Sequence, residues 1–176
     1  MMLLPWLLAC GPSPEDIAKA IRADNPVQRE DGAKIAANVD DPSVVEALAG
    51  VLADPSEPVR LRAVASLAEL GATTAGPALR ARLAAETSPT VRRALADALG
   101  RLGVVEAVPE LVAYVEAHGA DDRAQLAGLW ALGALGARGL QGDARTRALT
   151  VLVNRRDATK DRSVRWVTSA ALRTFR

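Results

Sequence analysis

A motif returns every 32 residues in this chain, and a period of that length restricts the fold more than any other feature. Pro-Val-Gln-Arg at 26 to 29 is echoed by Pro-Val-Arg-Leu at 58 to 61 and by Thr-Val-Arg-Arg at 90 to 93. With Val27, Val59 and Val91 in one column, Ile35, Leu67 and Leu99 align eight residues later, and Val39, Gly71 and Gly103 twelve later. A fourth copy starts near Ala124 and places Leu132, Gly133, Leu135 and Gly136 in the same columns. A fifth starts at Val164, after a longer insertion, and aligns Leu172 and Phe175. A unit this short cannot bury its apolar face alone, so neighbouring copies must stack and share one core.

Within a copy the residues ask for helices. Val59, Ala63, Val64, Leu67 and Leu70 recur at three- and four-residue steps, which lines them along one helix face. Gly71 then supplies a stop, since glycine accepts the left-handed backbone that ends a helix, and Leu79 and Leu83 form the stripe of a shorter second helix. Ser13-Pro14, Asn25-Pro26, Asp41-Pro42 and Ser88-Pro89 each pair an N-cap with a proline at the first helical position. Hydrophobic residues make up 49% of the chain but aromatics only 3%, so the core is aliphatic and alanine-rich, as closely packed helices require. Ten helices are expected, in an all-α fold: an α-solenoid of about four to five helical hairpins. In the first copy Asp31-Gly32 falls inside a helix, as in a terminal repeat, and residues 163 to 175 supply a first helix with no second to follow. Trp166 and Phe175 are expected to close the core at that end.

The stretches VRLRAVASLAELG and VRRALADALGRLG, followed by AGPALRARL and AVPELVAYV, resemble HEAT repeats of the short bacterial type also found in phycobilin lyases. The resemblance covers residues 14 to 176 and implies a scaffold for binding other proteins. Some HEAT-type proteins are enzymes, but the residues here argue against it. Deoxyhypusine hydroxylase holds iron through His-Glu pairs, whereas the single histidine of this chain, His118, has no glutamate beside it. One histidine and one cysteine make neither a multi-histidine site nor a zinc set, so no metal or other cofactor is expected. His118 follows Val112 and Val115 and is read as a cation at a helix C-terminus. No serine has a Gly-x-Ser-x-Gly context, and Asp40-Asp41 and Asp121-Asp122 precede helices, where capping accounts for them. The glycines at 133, 136, 139 and 142 belong to a helix end and an insertion rather than to a phosphate loop.

The net charge of +1 hides a polarity. Residues 15 to 57 hold ten acidic and four basic side chains, and residues 143 to 176 hold three acidic and nine basic. Nucleic acid is nonetheless not the partner expected, since only Trp166 stands among Arg145, Arg147, Arg155, Arg156, Lys160, Arg162 and Arg165. Arg60, Arg92 and Arg165, each after the repeat valine, are read as a ladder to loop acids such as Asp54. A protein or peptide partner would meet the second helices of the hairpins, which line the concave face of HEAT solenoids. The residues off their apolar stripes are Arg80, Arg82, Glu110, Tyr114 and Arg147.

The N-terminus has a different logic. Leu7-Leu8-Ala9-Cys10 resembles the lipobox of bacterial lipoproteins, in which cleavage before the cysteine exposes it to diacylglycerol attachment. The apolar run is far below the ~20 residues that span a bilayer and matches a short signal h-region. The expected organisation is a signal segment at 1–9, a tether at 10–13 and the solenoid at 14–176, with membrane attachment through Cys10 and an address in the bacterial envelope. The alternative is a cytoplasmic scaffold, or a lyase-like chaperone, in which Leu3 to Leu8 cap the first hairpin.

Overall fold

The computed structural model describes residues 11–175, and among them the regular structure is helical with no strand. The ten helices are α1 (Pro14–Ile21), α2 (Pro26–Ala36), α3 (Pro42–Gly50), α4 (Glu57–Glu69), α5 (Gly76–Ala85), α6 (Pro89–Leu102), α7 (Val108–Glu116), α8 (Leu126–Ala137), α9 (Gly142–Ala158) and α10 (Arg162–Arg173). Their starts are local chemistry. The Ser13 hydroxyl accepts from Asp16 N at 3.2 Å while the Asp16 carboxylate accepts from Ser13 N at 3.4 Å, a reciprocal capping box. Asn25, Asp41 and Ser88 cap α2, α3 and α6 in turn. At the other end of α6, Gly103 takes a left-handed conformation (φ 74°) that lets its N–H reach Leu99 O. No helix among the described residues is long and apolar enough to cross a membrane.

The chain divides into two compact units at Leu70 and Gly71. In the first, α1 packs on α2 and α3 on α4; in the second, α5 packs on α6, α7 on α8 and α9 on α10. This pairing corrects the expected phase of the repeat. The helices that carry the repeat motif, among them α6, α8 and α10, close hairpins rather than open them, so α10 is the partner of α9 and not an unpaired end. A period fixes the spacing of the copies and not where a copy begins, and the short insertion-free turns before α6 and α10 decide it.

In the first unit, Ile17, Ile21, Ala33, Leu48, Val59, Val64 and Leu67 are fully or nearly fully buried. Val27 and Ile35, placed in the core columns from sequence, are instead 62% and 45% exposed. Helix α2 is turned so that Gly32, Ala33 and Ala36 face inward. Gly32 is the reason: a Cβ there would lie 2.8 Å from the α1 backbone at Ala20 and Ile21, so its absence lets the two helices meet. The Ser66 hydroxyl of α4 completes the layer by donating to Ala33 O at 2.7 Å.

The loop before α4 is held by charge. Asp54 is paired by Arg29 through two contacts, 2.6 Å and 3.0 Å, and accepts Ser56 N at 2.8 Å. Arg60 also serves this loop, donating to the backbone carbonyl of Asp54 at 2.8 Å. Arg165 does the same at the same offset, reaching Thr159 O at 2.6 Å, while Arg92 lies over the Tyr114 ring, 5.2 Å from its centroid. Of the expected ladder, Arg60 and Arg165 clasp the loops before their helices and Arg92 lies over Tyr114, while the carboxylate of Asp54 pairs with Arg29.

Burial works against the charge of Asp54, but the bonds from Arg29 and Ser56 and the nearby positive charges outweigh it and hold the carboxyl below its usual range. Asp121 is also lowered, chiefly by the Lys160 N–H, then by the Thr159 hydroxyl and the Asp161 N–H. A carboxyl lowered by folding stabilises the fold fully above its ordinary value, ~3.9, and that contribution is lost as pH falls through the lowered one. Urea midpoints are expected to hold nearly constant from pH 7 to about 5 and to fall steeply below about 4. Asp54→Asn should flatten the acid limb; an unchanged limb would remove Asp54 from this account.

Candidate functional site

Of the five residues expected to meet a partner, two are joined to each other and one is buried. Arg80 and Glu110 join α5 to α7 by an ion pair, with Nη2 to Oε1 at 2.8 Å. Arg82 turns to Glu86 at 2.8 Å, within a loop whose Glu86 carboxylate also accepts Thr87 N and Ser88 N. Arg147 makes an exposed pair with Asp143 one turn before it. Tyr114 is only 3% exposed, its hydroxyl donating to Ala124 O at 2.7 Å, so it belongs to the core and offers no face to a partner. His118, just past the end of α7, has Nδ1 2.7 Å from Tyr114 O. Asp122 caps the turn before α8, whereas Asp121 reaches across to grip the loop at Thr159 to Asp161. Cys10 lies outside the described residues.

A different feature is laid out as a binding surface. The exposed large apolar side chains among the described residues are Val27, Ile35, Val105, Trp130 and Trp166. The two tryptophans wall one groove of about 290 Å³ between α8 and α10. Trp166, expected in the core, is 69% exposed. The residues of α10 that face inward are Val164, Thr168 and Ala171, and a residue two places after Val164 points roughly 200° away on a helix of 3.6 residues per turn. Phe175 closes the core alone, against Gly136 and under the Arg145 guanidinium.

The floor of the groove is built by close backbone approach. A Cβ on Gly133 would lie 2.7 Å from the Ala171 Cβ, and the Thr174 hydroxyl donates to Gly133 O at 2.7 Å, which ties α10 to α8. Ala134 and Ala170 line the sides. Trp130 is steadied from the other direction, where α6 and α8 meet through Gly100 and Ala131 and the indole edge rests near Gly100. With a lining this apolar and a volume at the lower edge of the roughly 300–1,000 Å³ typical of ligand sites, the groove suits a few apolar side chains. A larger depression of about 960 Å³ in the first unit is lined by charged and polar residues such as Lys19, Arg22 and Asp24 and carries no aromatic residue.

The two helices that form the groove carry charge of one sign. Helix α8 carries no charged residue, and α10 carries Arg162, Arg165 and Arg173 with no acid. Arg138, just after α8, donates to Arg101 O and Leu102 O, and Arg173 donates to Ser169 O. Those partners are backbone carbonyls rather than carboxylates, and both arginines are exposed. The sequence signal was available: two tryptophans 36 residues apart in a chain with three, each in a closing helix, one in a charge-free segment and one among arginines.

The sequence profile of HEAT repeats matches residues 14–95 and 76–173. No curated protein matches the chain significantly in sequence. Among solved structures, the complex of CpcE and CpcF of phycocyanin lyase from Nostoc sp. PCC7120 is similar at a TM-score of 0.76 and 23% identity, covering 99% of this chain and 69% of that one. An engineered protein is similar at a TM-score of 0.70 and 18% identity, covering 92% of this chain and 78% of the other. At these identities the likeness is one of fold.

Proposed function

This chain belongs to the HEAT-repeat family, and from that premise we propose that it is a binding module for another protein, without catalysis of its own, held at a bacterial envelope membrane through Cys10. The observation that carries the binding role is the groove of Trp130 and Trp166, an apolar site left open between α8 and α10. Aromatic residues with one apolar body and one polar tip dominate the energetics of protein interfaces. The phycocyanin lyase neighbour is itself one of two proteins in a complex, the kind of assembly proposed here. A photo-cross-linking residue at position 166 should yield a protein adduct in cells, and one at position 147 should not. Absence of a protein adduct at 166 sinks the reading.

The anchor rests on Leu7-Leu8-Ala9-Cys10 and on the first helix cap standing only three residues beyond the cysteine, at Ser13. Labelled palmitate should enter the wild-type protein and not Cys10→Ser, and the wild type should sediment with membranes. If no label enters and the protein stays with the cytosol, the cytoplasmic scaffold is the correct address. The chemistry the chain lacks in sequence fits a module that binds: its one histidine is engaged at a helix end by Tyr114 O, and Tyr114 itself is buried.

A further inference from the structure

Resting on that reading of the groove, we propose that its occupant is an amphipathic helix of the partner whose apolar stripe is flanked by Asp and Glu. Three observations lead there. The walls are indoles, 46% and 69% exposed, which give up water readily to apolar side chains arriving between them. The groove follows two helices that run alongside each other, touching at Gly133 with Ala171 and again at Gly136 with Phe175. A third helix can lie along such a channel and insert side chains at i, i+3 or i+4, and i+7. The rim beside Trp166 is cationic: Arg162, four residues before it, and Arg173, seven after it, lie on the same stripe of α10 and are exposed. No carboxylate on α8 or α10 answers them.

Complementarity of this kind selects the partner by sign. A helix with basic flanks would set like charges against Arg162 and Arg173 around the same apolar contact, and one with acidic flanks would be steered in and oriented. Single-stranded nucleic acid also joins negative charge to ring stacking. It is disfavoured here because the floor between the rings is lined by Ala134, Ala137 and Ala170, methyl groups rather than donors for phosphate.

The test is a display library of 18-residue helical peptides, randomised on one face and both flanks, selected on the full chain and counter-selected on Trp166→Ala. The (dT)15 oligonucleotide serves as the nucleic-acid probe. Trp166 is largely exposed, so its removal leaves the fold intact, and the far-ultraviolet circular dichroism of the variant should match the wild type. Enriched peptides should carry three apolar residues at helical spacing between acidic ones. They should lose at least tenfold in affinity to Trp166→Ala and to Trp130→Ala, and weaken several-fold between 50 and 500 mM salt. Enrichment of basic flanks with the same tryptophan dependence would overturn the charge assignment and leave the protein-binding role standing. Failure of any peptide to enrich, with (dT)15 bound in a Trp166-dependent way, would overturn both. Failure of both probes overturns the inference alone, and the protein adduct at position 166 then decides the binding role.

Discussion

Tyr114→Ala is expected to destabilise the unit of residues 71–176 by about 3–5 kcal/mol, the range for removing a buried aromatic side chain. The ring is 3% exposed and occupies the space that Gly128 leaves open: a Cβ on that glycine would lie 2.7 Å from Tyr114 Cδ1. It also lies under the Arg92 guanidinium and beside the His118 ring, at 4.9 Å between centroids. Tyr114→Phe should cost about 0.5–1.5 kcal/mol, because it removes the hydrogen bond to Ala124 O at an exposed residue. Burial raises the Tyr114 pKa and outweighs the nearby positive charges of Arg92 and Arg93. Stability tied to the neutral phenol is therefore complete below ~10 and is lost as pH rises through the raised value. Arg147→Ala, in an exposed pair on α9, should change stability by less than about 0.5 kcal/mol. Urea midpoints of the three variants give the comparison; equal effects from Tyr114→Ala and Arg147→Ala would contradict the placement of Tyr114 in the core.

Gly100→Val is expected to be nearly as damaging, at about 3 kcal/mol, for the opposite reason. A Cβ at position 100 would lie 2.7 Å from Ala131 Cα and 2.8 Å from Ala131 Cβ, so the obstacle is the backbone of α8 and not a flexible side chain. The same Cβ would lie 3.3 Å from Trp130 Cζ3. The substitution should therefore also push the indole toward solvent, shift tryptophan emission to the red and weaken whatever occupies the groove. Calorimetry and fluorescence on one sample separate the two effects. A stable variant with unshifted emission would mean that α6 and α8 do not meet at this glycine.

The helix ends were legible because they depend on a few adjacent atoms. Ser13, Asn25, Asp41 and Ser88 cap the helices that their following prolines open, and Gly103 ends α6 in the left-handed conformation that only glycine takes easily. The repeat columns were legible where size and polarity agree, as at Val59 with Val91 and Leu67 with Leu99, all buried. The columns failed at Val27 and Ile35, where the close approach of Gly32 to α1 turned the helix. Hydrophobicity alone placed Trp166 inside and left Tyr114 on a surface. Each assignment was reversed by helix rotation, a quantity that depends on what the neighbouring helix presents.

Capping, helix stops and the 32-residue period are properties of short stretches of chain, and the sequence by itself determined them together with the HEAT-type fold. Hairpin phase and the face each helix shows to solvent were decided only by the tertiary structure. The repeat is the same read from either helix of a pair, and a rotation of one residue exchanges core for surface. Which helix lies against which follows from where Gly100 and Gly133 let backbones approach and where Gly128 makes room for the Tyr114 ring. The groove of Trp130 and Trp166 exists because two of those contacts bring α6, α8 and α10 side by side while turning both indoles outward.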